Sequence, residues 1–261
     1  MIKLEESIER VVTIAIEAGN RIMDIYNNEE DFQVDAKADN SPLTIADREA
    51  NEIICNGLNQ LDPVWPIVSE ENKSIPFEER KDFEYLWMVD PLDGTKEFIK
   101  RNGEFTVNIA LIKNNRVIAG VVYAPALEEC YYAIEGQGAT KITNGQRTGL
   151  KANSYSNSEA GLGIVCSRSH LNEATASFID AYNEPIKVSK GSSLKFLILA
   201  SGGAHIYPRL APTMEWDTAA AQIILEESGG KVLIAGTDDP VVYNKENLLN
   251  PHFIAKANHQ D

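Results

Sequence analysis

The sequence predicts an α/β protein of two tightly packed halves, of which the first is of the mixed α+β type. Apolar residues recur at helical spacing through most of the first 60 or so residues, and short strand-like segments joined by turns then follow. After about residue 150, strands and helices alternate, which is typical of an α/β unit. We place the halves at residues 1–147 and 148–261 and expect a cleft with a binding site between them.

The first half is predicted to begin with a long amphipathic helix over residues 4–28. Residues 29–41 are polar and irregular. A second helix is predicted over about residues 43–61, with Thr44 and Asp47 at the spacing of a capping box. An apparently antiparallel sheet follows, in which the 105–112 and 116–124 segments form a hairpin. Its strands are predicted at 66–69, 85–90, 105–112, 116–124, 130–135 and 139–143, with a turn at Asn144-Gly145.

The second half is predicted from the same kinds of signal. Glycines at positions 202 and 203, and again at 229 and 230, are typical of the ends of two of its helices. The helices are expected at 174–183, 193–202 and 217–230, and the strands at 162–166, 185–189, 205–209 and 231–235, with the 231–235 strand as the last one.

The composition excludes several classes of function. The 39 acidic and 24 basic residues give a formal charge of -15, which repels nucleic-acid polymers and anionic membranes but leaves small anionic substrates open. The three cysteines are scattered, so no disulfide framework is expected and a reducing compartment is favoured. No apolar run reaches the roughly 18 residues of a membrane span, and the N-terminus lacks a signal-peptide pattern. We expect a cytoplasmic protein, a monomer or a homodimer; contact with the cytoplasmic face of the inner membrane is left open.

Carboxylates follow predicted strands or open a predicted helix at several points. Asp90 and Asp93 end one strand, Glu70 and Glu71 end another, and Asp217 opens a helix. Each has a structural alternative, because Asp-Pro and Asp-Gly are common turn elements and an acid suits the first turn of a helix. Together they suggest one convergent cluster. Like charges at close range need a cation between them, and Mg²⁺ prefers carboxylate oxygens, water and phosphate.

Phosphoryl chemistry with two Mg²⁺ ions about 4 Å apart suits such a cluster, because the ions can prime a water and stabilise the leaving oxygen. The rival is a phosphatase with a D-x-D-G-T motif, whose first Asp is a nucleophile. Here Pro91 and Leu92 separate the two acids, which redirects the second carboxylate and exposes the Leu92 carbonyl as a candidate metal ligand. Motifs for serine hydrolases, zinc proteases, P-loops and dinucleotide binding are absent, and the four histidines are dispersed.

These residues resemble the signature blocks of a known family. The blocks SEEN (69–72), DPLDGTKEF (90–98) and EWDTAAA (215–221) are similar to those of the inositol monophosphatase superfamily of Mg-dependent, lithium-sensitive phosphatases. Lys96-Glu97, the segment 98–112 and the blocks SRSH, GSSLKF, YPR and NLLNP resemble more closely its branch of bacterial 3'(2'),5'-bisphosphate nucleotidases. The resemblance extends from about residue 37 to 251.

The resemblance implies a five-layered αβαβα sandwich and a set of site residues. In it, two Mg²⁺ ions, or three, are held by Glu70, Asp90, the Leu92 carbonyl, Asp93 and Asp217, so the first half carries most of the ligands. Thr95 and Asp47 activate the attacking water, and Glu71 orders further water or a weaker third metal. Asp47 has the alternative of being only a capping-box acid. The segment 93–95 starts a short helix, so the amides of Gly94 and Thr95 can meet the phosphate.

The second half of the chain is expected to carry the residues that recognise the substrate. Ser167 and His170 lie in a polar loop after a strand, while Ser192, Ser193, Lys195 and Arg209 could meet a second phosphate; solvated surface bases are the alternative for Lys195 and Arg209. The resemblance implies hydrolysis of adenosine 3',5'-bisphosphate at the 3' position to AMP, a reaction that clears a by-product of sulfate assimilation. It also implies adenosine 3'-phosphate 5'-phosphosulfate as a further substrate. An inositol or fructose bisphosphate phosphatase, and a noncatalytic ligand sensor, are the alternatives.

Overall fold

The computed structural model describes residues 4–28, 34–36, 42–166 and 172–260. Its α-helices are α1 (Leu4–Asn28), α2 (Ile45–Leu58), α3 (Phe77–Arg80), α4 (Thr95–Ile99), α5 (Glu173–Asp180), α6 (Leu194–Ala200) and α7 (Ala219–Glu227). Its strands are β1 (Val34–Ala36), β2 (Pro42–Thr44), β3 (Ile67–Ser69), β4 (Tyr85–Asp93), β5 (Thr106–Lys113), β6 (Arg116–Ala124), β7 (Glu129–Ile134), β8 (Ala139–Thr143), β9 (Gln146–Gly149), β10 (Ser154–Tyr155), β11 (Gly163–Cys166), β12 (Ile186–Ser189), β13 (Ile206–Arg209), β14 (Lys231–Ile234), β15 (Phe253–Lys256) and β16 (Asn258–His259).

The larger sheet has seven strands in the order β3-β4-β5-β6-β7-β8-β9. Only β3 and β4 run parallel, and each later neighbour is antiparallel to the one before it. The predicted hairpin is confirmed as β5 and β6. Asn144 and Gly145 join β8 to β9 with φ of 51° and 73°, the left-handed pair that a two-residue hairpin turn requires.

Helices α1 and α2 cover one face of this sheet. The apolar stripe of α1 is fully buried, and α2 contributes Ala46, Ala50, Ile54 and Leu58 at a spacing of four. Both stripes join one core cluster with Trp87, Val89 and Ile109. The opposite face packs on α6 and α7, whose residues share a second core cluster with Met88, Ala110 and Val122. The alternation of successive β4 residues between the two clusters follows from the pleat of the strand.

The smaller sheet has five strands in the order β12-β11-β13-β15-β14. The first three are parallel, and β15 pairs antiparallel with both β13 and β14. Val165, Tyr207 and Phe253 turn toward α6 and α7, while Ile164 and Ile206 face the opposite way and pack with Ile179 of α5. The order of layers is therefore α1/α2, large sheet, α6/α7, small sheet, α5, which confirms the five-layered αβαβα sandwich.

Three details of the predicted elements are wrong. The 66–69 strand was expected in an antiparallel sheet, but it pairs parallel with β4. The strand at 231–235 is not the last one, because β15 and β16 follow it and β15 inserts between β13 and β14. Helix α7 begins at Ala219 after the N-cap Thr218, so Asp217 lies in the turn before the helix. The boundary between residues 147 and 148 stays a prediction; β9 (Gln146–Gly149) runs across that position. Strands β1 and β2, at the irregular segment, form an antiparallel pair.

None of the helices found in the described ranges combines the length with the apolar character that crossing a membrane requires. The predicted compartment and oligomeric state stay predictions.

Candidate active site

A bulge at the end of β4 sets the direction of the two aspartates. Asp90 lies opposite Asn108 of β5, and pairing resumes only at Asp93 opposite Thr106, so β4 has one residue more than its partner between these pairs. Residues three apart across such a bulge face the same side of the sheet. The amide of Leu92 donates to Asp90 Oδ1 at 3.0 Å and closes the bulge. The Pro91-Leu92 insertion thus turns both carboxylates toward the second half of the chain.

Three carboxylates converge beside this bulge. Oxygens of Glu70, Asp90 and Asp217 all lie within 4.8 Å of one another. Glu70 follows β3, which is parallel to β4, so the two strands end at the same edge of the sheet. Asp217 comes from the turn before α7, where Asp217 Oδ2 accepts a hydrogen bond of 2.9 Å from the amide of Met214. The fold therefore gathers three of the predicted metal ligands from distant parts of the chain.

The negative charges of the carboxylates in this cluster repel one another. Burial raises the pKa of Asp90 well above its usual value, and the negative charges of Glu70, Asp93 and Asp217 raise it further. Burial and the charge of Asp93 raise the pKa of Asp217 to about 8, although the amide of Met214 acts in the opposite direction. Without a cation, the site disfavours full ionisation. Hard oxygen ligands in this number and proximity fit a divalent cation such as Mg²⁺.

Asp93 lies against the second half through one of its oxygens. Asp93 Oδ2 accepts hydrogen bonds from Ser192 Oγ at 2.6 Å, the amide of Ser193 at 2.7 Å and Ser193 Oγ at 3.1 Å. These contacts converge on Oδ2, which leaves Oδ1 as the oxygen suited to a cation. Ser193 Oγ also lies 2.9 Å from the carbonyl of Asp217, and its single hydroxyl hydrogen is shared between the two acceptors. The serine turn therefore joins the Asp93 and Asp217 regions.

Asp47 uses its two oxygens for two separate contacts. Asp47 Oδ2 accepts a hydrogen bond from the amide of Thr44 at 2.8 Å, which is a contact of the predicted capping box, and another from Thr44 Oγ1 at 2.5 Å. Asp47 Oδ1 accepts a hydrogen bond of 3.1 Å from Thr95 Oγ1. The two roles that the sequence offered for Asp47 are thus geometrically compatible. The Thr95 hydroxyl also lies 3.4 Å from the Leu92 carbonyl.

Gly94 connects β4 to α4 in a conformation that favours glycine. Its φ is +97°, and a Cβ at this position would lie 3.0 Å from the carbonyl oxygen of Glu104. The turn brings Thr95 to the first position of α4, beside Asp47. The short helix predicted at this point is confirmed as Thr95–Ile99.

A cavity of about 200 Å³ opens beside Asp93 and Asp217. Lys195 is only 9% exposed; its Nζ donates to the Ser192 carbonyl at 3.0 Å and lies 5.8 Å from the centre of the Tyr207 ring. Burial lowers the pKa of Lys195, while the carboxylate of Asp93 acts in the opposite direction. The cavity thus places a largely buried base beside the acids. Its lining is Asp93, Gly94, Glu97, Ser192, Lys195, Phe196, Tyr207, Arg209, Thr213, Asp217 and Thr218.

Arg209, the last residue of β13, also lines this cavity. One terminal nitrogen donates to the Pro212 carbonyl at 2.8 Å, and the Nε atom is buried without a hydrogen-bond partner. An unsatisfied buried N–H is costly, so this atom indicates a missing acceptor. Lys195 is therefore not a solvated surface base, whereas Arg209 is only partly buried.

The remaining predicted site residues lie at or beyond the edge of the described site. Glu71 is partly buried in the turn after β3, where its amide donates to Ser69 Oγ at 3.3 Å. It does not belong to the group of three converging carboxylates. Ser167 and His170 fall outside the described residues.

The structure adds residues that the sequence did not assign. Asn51 Oδ1 accepts from Ser69 Oγ at 2.7 Å and Asn51 Nδ2 donates to Asn72 at 2.9 Å, which anchors the turn that carries Glu70. Asn51 is four residues after Asp47 on α2, so a helical-face argument could have found it. Tyr207 and Glu97 also line the cavity; both lie in blocks that resemble the family branch, but the sequence assigned neither of them a role.

A buried carboxylate supports the turn that holds Asp217. Glu215 is fully buried, and its oxygens accept from the amide of Asn244 at 2.5 Å and from Lys245 Nζ at 2.5 Å. Asn244 Oδ1 in turn accepts from the buried guanidinium of Arg80 at 2.7 Å. This network ties the 215–217 turn to a loop from the C-terminal part of the chain and to α3 in the first half.

Comparison with known proteins agrees with this geometry. The model of the inositol monophosphatase family matches residues 3–261. A 3'(2'),5'-bisphosphate nucleotidase CysQ from Salmonella typhimurium is 42% identical over 246 residues, which cover 94% of this chain and 98% of that relative. The protein of the same name from Escherichia coli K12 is 42% identical over 247 residues, with the same coverage. A crystal structure of CysQ from Bacteroides thetaiotaomicron matches with a TM-score of 0.88 at 41% identity, covering 99% of each chain. The chain therefore belongs to the inositol monophosphatase family of phosphatases.

Proposed function

We propose that this protein is a Mg²⁺-dependent 3'(2'),5'-bisphosphate nucleotidase that releases the 3'-phosphate of adenosine 3',5'-bisphosphate to give AMP. One observation carries the proposal: the cluster of three converging acids meets, at Asp217, a cavity that Lys195 and Arg209 also line. Acids that bind cations suit the phosphate that is cut, whereas two bases beside them suit a second anionic group on the same substrate. The names of the relatives from Salmonella and E. coli support the same activity.

The metal ligands in this proposal are Glu70, Asp90, the Leu92 carbonyl, Asp93 and Asp217, with two Mg²⁺ ions and Glu71 as a contact for a third. Asp93 fits this role because its Oδ2 is occupied by the serine turn and its Oδ1 is not. When bound, the cations would neutralise the cluster, lower the pKa of a water and stabilise the leaving oxygen. The raised pKa values of Asp90 and Asp217 support a site that needs such neutralisation.

Thr95 and Asp47 are proposed to move the proton of the attacking water. The Thr95 hydroxyl donates its hydrogen to Asp47 Oδ1, so the lone pairs of its oxygen are available to accept a proton from water. As Thr95 takes that proton, its own hydrogen passes to Asp47. The capping contacts on Asp47 Oδ2 hold the carboxylate in the orientation that this transfer needs. A noncatalytic ligand sensor needs no proton-transfer pair, so the contact between Thr95 and Asp47 favours an enzyme over a sensor.

The second phosphate is assigned to Lys195 and Arg209. The buried Arg209 Nε would gain an acceptor, and the Lys195 ammonium, which donates one hydrogen bond to the Ser192 carbonyl, has three donor hydrogens. The hydroxyls of Ser192 and Ser193 already bond to Asp93, so these residues contribute to this subsite through shape more than through free hydroxyls. Ser167 and His170 are proposed as further substrate contacts, and the 5'-phosphosulfate analogue as a second substrate.

A side-by-side assay of phosphate release tests the proposal. The substrates are adenosine 3',5'-bisphosphate, its 5'-phosphosulfate analogue, 3'-AMP, inositol 1-phosphate and fructose 1,6-bisphosphate, each with Mg²⁺ and with excess chelator. We expect the highest kcat/KM for the adenosine bisphosphate and no turnover with chelator. A higher kcat/KM for inositol phosphate or fructose bisphosphate would assign the site to that substrate instead, and undiminished hydrolysis under chelation would remove the metal from the mechanism.

A further inference from the structure

A buried threonine lies behind the serine turn that binds Asp93. Thr106 of β5 is 0% exposed, and the register of the large sheet places it directly opposite Asp93. Its hydroxyl oxygen lies 2.6 Å from Ser192 Oγ, in the other half of the chain. Thr106 is not among the residues that line the cavity. Its hydroxyl reaches the site through Ser192, while its backbone pairs with that of Asp93.

The direction of this hydrogen bond follows from the proton count. Ser192 has one hydroxyl hydrogen, and its 2.6 Å contact with Asp93 Oδ2 uses it, because the same oxygen also accepts from the amide of Ser193 and so acts as an acceptor here. Ser192 must therefore accept in the contact with Thr106, and Thr106 must donate. The other acceptor near Thr106, Asn108 Oδ1, is 3.4 Å away and is a much weaker competitor. Thr106 therefore donates to Ser192, and Ser192 donates to Asp93.

The backbone conformation of Ser192 is unfavourable for a non-glycine residue, so a hydrogen bond that holds its side chain helps to stabilise it. Ser192 has a φ of +51°, in the left-handed region that non-glycine residues rarely adopt. The preceding Gly191 lies so close to the segment before β5 that a Cβ there would be 2.9 Å from the Glu104 carbonyl oxygen. The Ser192 carbonyl in turn accepts from Lys195 Nζ at 3.0 Å. One strained residue thus positions both a carboxylate and a base of the site.

We propose that Thr106 is a positioning residue for this site. Its hydroxyl fixes the Ser192 side chain, which commits Asp93 Oδ2 to the serine turn and presents Asp93 Oδ1 to a cation. The same contact holds the Ser192 carbonyl where it orients the Lys195 ammonium toward the cavity. The inference rests on the proposed function for its consequence in catalysis, but the effect on cation binding is measurable without any substrate.

The test compares Thr106→Val, which keeps the shape and removes the donor, with Thr106→Ser, which keeps the donor. Mn²⁺ alone serves as the probe, titrated by calorimetry and by the loss of its free electron paramagnetic resonance signal. We expect Thr106→Val to weaken Mn²⁺ binding about 10-fold, as removal of a residue that orients a ligand typically does. Thr106→Ser should bind Mn²⁺ like the wild type. With adenosine 3',5'-bisphosphate, Thr106→Val should raise KM as well as lower kcat, since Lys195 and Asp93 both shift.

The matched control is Thr143→Val on β8 of the same sheet. The Thr143 hydroxyl is buried without a hydrogen-bond partner, so its removal should leave Mn²⁺ affinity unchanged. Thr106→Ala replaces Thr106→Val if the valine variant is unfolded at the assay temperature. Wild-type Mn²⁺ affinity in the folded Val or Ala variant would overturn the inference, and so would a Ser variant as impaired as the Val variant. If the wild type fails to hydrolyse the bisphosphate while Mn²⁺ affinity follows the hydroxyl, the proposed function fails and the positioning role stands.

Discussion

Thr95 Oγ1 donates to Asp47 Oδ1 at 3.1 Å, while the other oxygen of the same carboxylate accepts two hydrogen bonds from Thr44 at the start of α2. The helix cap therefore orients the acid that the Thr95 hydroxyl faces. A cap normally stabilises a helix by about 1 kcal/mol, and here it also removes rotational freedom from a side chain of the site. Asp47 thus belongs both to the N-terminal cap of α2 and to the candidate active site.

Thr95→Ala should lower kcat for the bisphosphate by about 10²–10⁴-fold, the usual contribution of positioned acid–base help. Mn²⁺ affinity should stay at the wild-type level, because the Thr95 side chain is assigned to the water and not to the cation. Thr95→Ser keeps the hydroxyl and is the matched control; it should retain most of the activity. Steady-state kinetics and calorimetry measure the two effects separately. Loss of Mn²⁺ binding in the Ala variant would make Thr95 a structural residue.

Asp90→Asn should abolish turnover and weaken cation binding, because it removes the most buried charge of the cluster. The Asn side chain can still accept the hydrogen bond from the amide of Leu92. In the presence of chelator at pH 8, we expect this variant to be more stable than the wild type by on the order of 1 kcal/mol, since one repelling charge is gone.

Thermal unfolding with and without Mg²⁺ measures this difference. Mg²⁺ should raise the Tm of the wild type, as any ligand that prefers the folded state does, and raise that of Asp90→Asn much less. Asp82→Asn changes an exposed acid in the loop before β4 and should respond to Mg²⁺ like the wild type. An equal Mg²⁺ shift in the Asp90 variant would exclude Asp90 from the ligands.

Lys195→Ala should raise KM for adenosine 3',5'-bisphosphate by roughly 10–100-fold, the value of a lost charge-assisted hydrogen bond. The KM for 3'-AMP, which lacks the second phosphate, should change far less. Lys231→Ala, at an exposed position of β14, controls for the general loss of a positive charge from this acidic protein. Equal increases in KM for both substrates would mean that Lys195 does not bind the second phosphate.

The raised pKa of Glu226, a residue outside the candidate site, predicts that the stability of the protein depends on pH. Burial raises the pKa of this carboxyl from 4.5 to about 7, although the hydrogen bond from Gln222 opposes the shift. A raised carboxyl pKa means that the folded state resists ionisation, so stability is fully present below pH 4.5 and is lost as the pH rises through 7. Because one pKa unit is about 1.4 kcal/mol and Glu226 is partly exposed, we expect a loss on the order of 1–3 kcal/mol.

Glu226→Gln should remove this loss, since Gln keeps an oxygen for Gln222 Nε2. Urea unfolding at pH 4, 6 and 8 should show the variant gaining stability over the wild type as the pH rises. Glu52→Gln, an exposed acid on α2, should show no such trend. A difference between variant and wild type that stays constant from pH 4 to 8 would contradict the raised pKa.

The sequence alone predicted those elements whose signals are local. The apolar stripe of α1, the capping box of α2 and the β5–β6 hairpin depend on residues a few positions apart, and all were found where expected. The strand β15 was missed, because its four residues follow a proline and an irregular segment, and a short strand in the middle of a sheet depends on neighbours from elsewhere in the chain.

For the site, the sequence determined which residue types are present and, by resemblance to a family, which of them to consider. Only the tertiary structure decided that Glu70, Asp90 and Asp217 lie within one small volume and that Asp93 accepts hydrogen bonds from the serine turn through Oδ2. It also brought Thr106 of the first half against Ser192 of the second. The physical reason is that such contacts depend on how two sheets stack around α6 and α7, which no local pattern along the chain encodes.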